Sequence, residues 1–157
     1  MKKSKQKIAV YLYLMIAATF SFWNGVEAQI LNPVKWSYAA KSGADGIATI
    51  YLRATIDDGW HIYSVNQKPG GPQKTVFSFS KSQNYSPIGK PVEPKPLSKF
   101  EDAFGIQVYY FSNSVTFQQK MKINKGQTIV KGKLTYMACT DKQCLPPEDL
   151  TFEIPIN

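Results

Sequence analysis

Two cysteines, Cys139 and Cys144, are the only thiols in the 157-residue chain, and they lie close together in "YMACTDKQCLPPED" (136–149). Two chemistries suit such a pair. In an oxidising compartment two cysteines of a small domain normally form a bridge, and that bridge can be purely structural. In the chain-entropy picture, however, a loop of about six residues restrains the unfolded state by roughly 2 kcal/mol, against about 4.7 for a loop of 100. What a short loop offers instead is a pair of sulfurs that open and close without unfolding anything else. Thiol–disulfide exchange runs through a mixed disulfide, so it needs an accessible sulfur, a leaving thiolate and a second cysteine to resolve the intermediate. Lys142 inside the loop favours a thiolate, Asp141 opposes one, and no helix N-terminus is evident to lower a thiol pKa. Pro146 and Pro147 fix φ and remove two donors, which holds the turn in one shape. With His61 the only histidine, the pair can offer a metal at most three ligands where structural zinc takes four. No metal or cofactor is therefore expected. No Ser-His-Asp set, phosphate loop or zinc-protease helix is present, which leaves hydrolysis without candidate residues.

The elements that must position the cysteines follow from hydrophobic periodicity. "MKKSKQK" is a basic n-region, the fifteen residues "IAVYLYLMIAATFSF" form an apolar h-region, and "WNGVEA" ends in small residues. The apolar run is shorter than the roughly 20 residues of a membrane-spanning helix. Residues 1–28 read as a signal peptide cleaved after Ala28, which predicts an exported, soluble domain of residues 29–157 in the periplasm or outside the cell. Beyond the leader the pattern has period two. "VKWSYAA", "GIATIYLRATI", "TVFSFS", "IQVYYFSNSVTFQQKM", "QTIVKGKLTYMA" and "LTFEIPI" alternate inward and outward side chains and read as strands. "KSGADG", "DDG", "NQKPGGPQ", "SPIGKPVEPKP" and "NKGQ" carry turn chemistry. The fold expected is all-β, a single immunoglobulin-like β-sandwich. The segment "SPIGKPVEPKPLSKFEDAFG", the least regular of the domain, reads either as a linker or as a functional loop held over a site.

Charge excludes one class of partner. The formal charge of +8 includes Lys2, Lys3, Lys5, Lys7 and Glu27 of the leader, so the domain itself carries +5. Its lysines, Lys99 among them, are scattered rather than gathered into a stripe, and no nucleic-acid partner is expected. They read as a solvated surface.

The cysteine stretch, extended to "YMACTDKQCLPPEDLTFEIPI", resembles the final strands and active-site loop of the N-terminal periplasmic domain of the thiol:disulfide interchange protein DsbD. "DDGWHIYSVNQ" and "FEDAFGIQVYYF" resemble two further segments of that family in order and spacing. The resemblance covers most of residues 30–157 and implies an immunoglobulin-like β-sandwich that relays electrons, with no cofactor, between thioredoxin-fold proteins. By position it makes Cys144 the cysteine that forms mixed disulfides and Cys139 the one that resolves them. Glu101 and Asp102 fall on the family's acidic pair, His61 and Tyr63 on aromatic positions lining the site, and Phe104 in the cap that shields the sulfurs.

Three departures accompany the resemblance. The spacing is C-x4-C where the family pattern is C-x5-C. The first cap aromatic falls on Ala103, so that Phe104 or Phe100 must do any shielding. The chain as read stops at Asn157, which implies that the donor, a thioredoxin-like domain or a membrane electron carrier, is a separate protein. The rival expectation is an exported binding or adhesion module with a structural short-loop disulfide, in which Trp36 and Trp60 supply a ligand face.

Overall fold

A computed structural model describes residues 31–156 apart from 103 and 125. The expected leader, residues 1–28, lies outside them. Apart from a 3-10 turn at Ala44–Gly46, every regular element described is a strand: β1 (Val34–Ser42), β2 (Ile47–Ile56), β3 (His61–Tyr63), β4 (Val76–Phe79), β5 (Tyr85–Val92), β6 (Leu97–Glu101), β7 (Ile106–Phe111), β8 (Ser114–Ile123), β9 (Thr128–Tyr136), β10 (Ala138–Cys139) and β11 (Glu148–Ile156). They form three sheets with strand orders β1-β2-β8-β5, β11-β9-β4 and β10-β3-β7-β6. Every pairing is antiparallel.

Period two decides which side chains meet. Along β2, Ala48, Ile50, Leu52, Ala54 and Ile56 are buried while the residues between them face outward, and β8 buries Val115, Phe117, Gln119 and Met121 in the same way. This inner face meets the other two sheets. Trp36 of β1 packs on Phe77 of β4 and Tyr136 of β9, Tyr38 on Phe152 of β11, and Phe117 of β8 on Phe111 of β7. The result is an immunoglobulin-like β-sandwich around one main core. Close approach is required at Gly132 of β9, where a Cβ would stand 2.4 Å from the Phe152 ring and 2.5 Å from the Ser78 carbonyl. Trp36 and Trp60, the residues of the binding-module expectation, are both half-buried and pack against this core.

The expected strands are present, with one long run, "IQVYYFSNSVTFQQKM", broken into β7 and β8 at Asn113, whose φ of 63° turns the chain. The proline-rich stretch is a correction. Most of it is strand, β5 and β6, with loop only at 93–96 and after Glu101. Pro87 and Pro91 are tolerated because β5 is an edge strand that pairs with β8 alone. Its register shifts between Ile88 and Val92, around Gly89 at φ 68°. There the Ile88 carbonyl accepts a hydrogen bond of 2.9 Å from the buried Gln119 amide.

Candidate functional site

β9 runs through Met137 into β10, and the chain then turns back on itself. Cys139 and Cys144 face each other as an antiparallel pair and are joined in a disulfide, with Cα atoms 4.0 Å apart. The flanking bonds, Thr140 N–H to the Gln143 carbonyl at 2.7 Å and Leu145 N–H to the Ala138 carbonyl at 2.9 Å, make this a non-hydrogen-bonded pair. That is the kind in which opposed side chains come closest. The C-x4-C spacing has a direct reading here. With Cys139 opposite Cys144 and Thr140 opposite Gln143, only Asp141 and Lys142 remain for the tip, the minimal two-residue hairpin. The Thr140 hydroxyl accepts from the Lys142 and Gln143 N–H groups at 3.2 and 3.1 Å and braces the tip. Pro146 and Pro147 then end the ladder, since neither has an N–H to continue it.

The two sulfurs are not equivalent. Cys139 is 1% exposed and packs with Tyr63, Val108, Ile106, Tyr110 and Met137 in a small second core. Cys144 is exposed. The small core lies on the outer face of the β10-β3-β7-β6 sheet. The register pairs Cys139 with His61, Tyr63 with Tyr110, Tyr110 with Leu97, and Val108 with Lys99, which puts these side chains on one face. Ile62, Phe111 and Ala138, one residue out of step, face the main core.

β3 reaches this position through the turn Asp57–Trp60. Gly59 there has φ 78°, and the Trp60 N–H donates to the Asp57 carbonyl at 3.1 Å. His61 is 5% exposed, its Nε2 lies 3.1 Å from the Tyr63 hydroxyl, and its ring packs against Tyr110 at 5.1 Å. Burial, helped by the Lys99 cation and opposed by Asp141 and Glu101, lowers the imidazole pKa below its ordinary value. Burial also pushes Tyr63 up to about 12, with Glu101 adding to the shift and Lys99 opposing it. Both groups are therefore neutral at pH 7.

Lys99 ties the neighbouring hairpin to the cysteine turn. Its ammonium lies 3.2 Å from Glu101 on its own strand and 2.8 Å from Asp141 at the tip, and 5.6 Å from the Tyr110 ring centre. Its hydrogen bond to Asp141 is the main cause that raises its pKa, and the same bond holds the Asp141 carboxyl below its ordinary value.

The structure thus gathers Cys139, Cys144, His61, Tyr63 and Glu101 of the residues singled out in the sequence. Asp102 and Phe104 lie in the loop joining β6 to β7, both exposed, with Gly105 at φ 65° closing the turn onto the Glu101 carbonyl. Phe104 is 44% exposed. Phe100 pairs with Gln107 on the face of β6 opposite to Lys99 and Glu101, and is 60% exposed. Lys99 corrects the reading of the lysines as a uniformly solvated surface. The signal was present in "LSKFE", where Lys99 and Glu101 are two apart and must share a face once the segment is a strand. Tyr110 was missed because it sits within an apolar run that reads as core.

The fold, with a two-residue-tip disulfide on the outer face of one sheet, defines a β-sandwich thiol:disulfide interchange domain. The chain belongs to the family of the N-terminal domain of the thiol:disulfide interchange protein DsbD, whose family model matches residues 27–155. Among solved structures it is similar to the Neisseria meningitidis DsbD N-terminal domain in the reduced form. The TM-score is 0.55 at 22% identity, covering 78% of this chain and 86% of that one. The N-terminal periplasmic domain of ScsB from Proteus mirabilis gives 0.59 at 18% identity, covering 78% of this chain and 46% of that one. A complex between the DsbD N-terminal and PilB N-terminal domains from Neisseria meningitidis gives 0.52 at 22% identity, covering 80% and 87%. Among curated proteins no sequence matches the chain. No helix among the described residues is long and apolar enough to cross a membrane.

Proposed function

We propose that residues 29–157 are exported to the periplasm after cleavage of the leader 1–28, and relay electrons between thioredoxin-fold proteins through Cys139 and Cys144. The observation that carries this reading is the asymmetry of the pair, one sulfur-bearing residue exposed and the other sealed behind it. A partner thiolate attacks Cys144 Sγ, the Cys139–Cys144 bond breaks, and Cys139 leaves with the electron pair. A second partner thiolate then attacks the partner sulfur of the mixed disulfide and releases Cys144, so that the domain ends reduced by two electrons and the partner carries a disulfide. Run in reverse, the same steps deliver those electrons onward. The complex of the Neisseria DsbD N-terminal domain with a PilB N-terminal domain supports a protein partner. Glu101, His61 and Tyr63 line the exchanging pair, and Phe104, in the β6–β7 loop with Asp102, flanks the approach, whereas Phe100 points from the other face of β6. Donor and acceptors alike are thioredoxin-fold proteins in this reading.

The test is the reduction potential of the pair, measured against a thiol redox buffer with free thiols trapped. A value of roughly −120 to −270 mV is expected, with Cys139→Ala accumulating mixed disulfides through Cys144. A value well below about −300 mV, or a bridge that resists reduction until the domain unfolds, would return the pair to a structural role.

A further inference from the structure

Cys139 presents a chemical difficulty that the exchange reading leaves open. To resolve a mixed disulfide on Cys144 it must attack as a thiolate, yet it is 1% exposed, and burial in apolar surroundings keeps a thiol protonated. Water and hydroxide have little access to the proton. A base within the protein is needed, one that is unprotonated at neutral pH and not already tied to a cation.

The groups facing this point come from each neighbouring strand. On β6, Lys99 is a cation and Glu101 is paired with it. At the hairpin tip Asp141 is held by the same ammonium. On β3 Tyr63 is a neutral phenol whose proton is held tightly, and on β7 Tyr110 supplies a ring against the imidazole. His61 remains. It is the direct cross-strand partner of Cys139, which places the two Cβ atoms on the order of 5 Å apart on one face of the sheet. Its Nε2 is oriented by the Tyr63 hydroxyl, which leaves the other ring nitrogen for a second partner.

We infer that His61 is the general base of the resolving step, taking the proton from Cys139 as it attacks Cys144. This rests on the exchange reading above. The Cys139 S–H bond breaks with its proton passing to the imidazole, and the thiolate displaces the partner's sulfur from Cys144 Sγ. The new Cys139–Cys144 bond forms, the partner leaves as thiolate, and the imidazolium returns its proton to solvent. In the opposite direction imidazolium protonates the departing Cys139. Removing a positioned base of this kind costs about 10²- to 10⁴-fold.

The reduced mature protein, mixed with the chromogenic aryl disulfide dithiobis-nitrobenzoate, reads the two steps separately. Attack by Cys144 releases one aryl thiolate, and resolution by Cys139 releases the second. In the wild type the second phase is expected to be flat in pH between about 6.5 and 8, because the base is already free, below the ordinary thiol range near 8.5. His61→Gln should slow the second phase about a hundredfold or more at pH 7 and restore a tenfold rise per pH unit, with the first phase changed less than about threefold. A wild-type second phase that itself climbs tenfold per pH unit through this range would overturn the assignment without recourse to any variant. So would a plateau retained in His61→Gln, or equal slowing of both phases, which marks a structural role. Absence of the first phase would remove the exchange reading, and this one with it.

Discussion

The β10-β3-β7-β6 sheet presents two faces made from the same few residues in alternation. Ile62, Phe111 and Ala138 point one way into the main core, while His61, Tyr63, Tyr110 and Cys139 point the other way beside Lys99, Glu101 and Asp141. The inner face is apolar and buries rings against the facing sheet. The outer face holds titratable groups that a core could accept only at the cost of desolvating them. Stability and chemistry are thereby assigned to opposite sides of one backbone. The disulfide stands outside the main core, so opening it should leave the sandwich packing intact.

The largest expected effect belongs to the inner side. Phe117 is fully buried and meets Trp36, Phe77 and Phe111, so Phe117→Ala should cost about 3–5 kcal/mol in urea unfolding. Reduction of the disulfide, measured in the same way with and without a thiol reductant, should cost only about 2 kcal/mol because the loop it closes is short. If reduction proved the more damaging of the two, the division between a stabilising face and a chemical face would be lost.

A smaller effect follows from His61. Its pKa is lowered in the folded protein, so the unfolded chain binds the proton more readily. The stability it contributes is complete above the unfolded value near 6.5 and is lost as pH falls from there toward the folded value. The oxidised protein should therefore unfold more easily at pH 5 than at pH 7, and His61→Gln should flatten that part of the profile. An identical slope in the variant would mean that acid acts elsewhere.

These effects also separate what the sequence discloses from what it withholds. Alternation in "GIATIYLRATI" or "LTFEIPI" is a local property and reads directly as strand. β5 was hidden because its prolines signal turns wherever a strand has two neighbours, and only its place at the sheet edge makes them harmless. The cysteine loop was legible as a short exchangeable bridge. Which cysteine is buried was not, because that depends on Tyr63 of β3 and Val108 of β7 arriving from elsewhere in the chain. The same holds for Lys99. Its partner Asp141 lies 42 residues away, and no local pattern links them.

Lys99 provides the smallest and most specific of the expected effects. As a partly exposed ion pair it should matter little to stability, and Lys99→Met should shift unfolding by less than about 1 kcal/mol. Its electrostatic influence is another matter. The ammonium lowers the pKa of His61 while Asp141 and Glu101 raise it, so removing the cation leaves two carboxylates facing the imidazole unopposed. The titration midpoint of His61 should then move upward. Because His61 is the only histidine of the chain, one imidazole signal followed by NMR across the pH range in untagged protein reports it without assignment. If base function and site charge are linked as the geometry implies, the plateau of the resolving step should move to higher pH by the same amount. A midpoint that stays in place or falls would mean that the Lys99 cation does not act on the imidazole, and would confine the Lys99–Asp141 pair to bracing the hairpin tip.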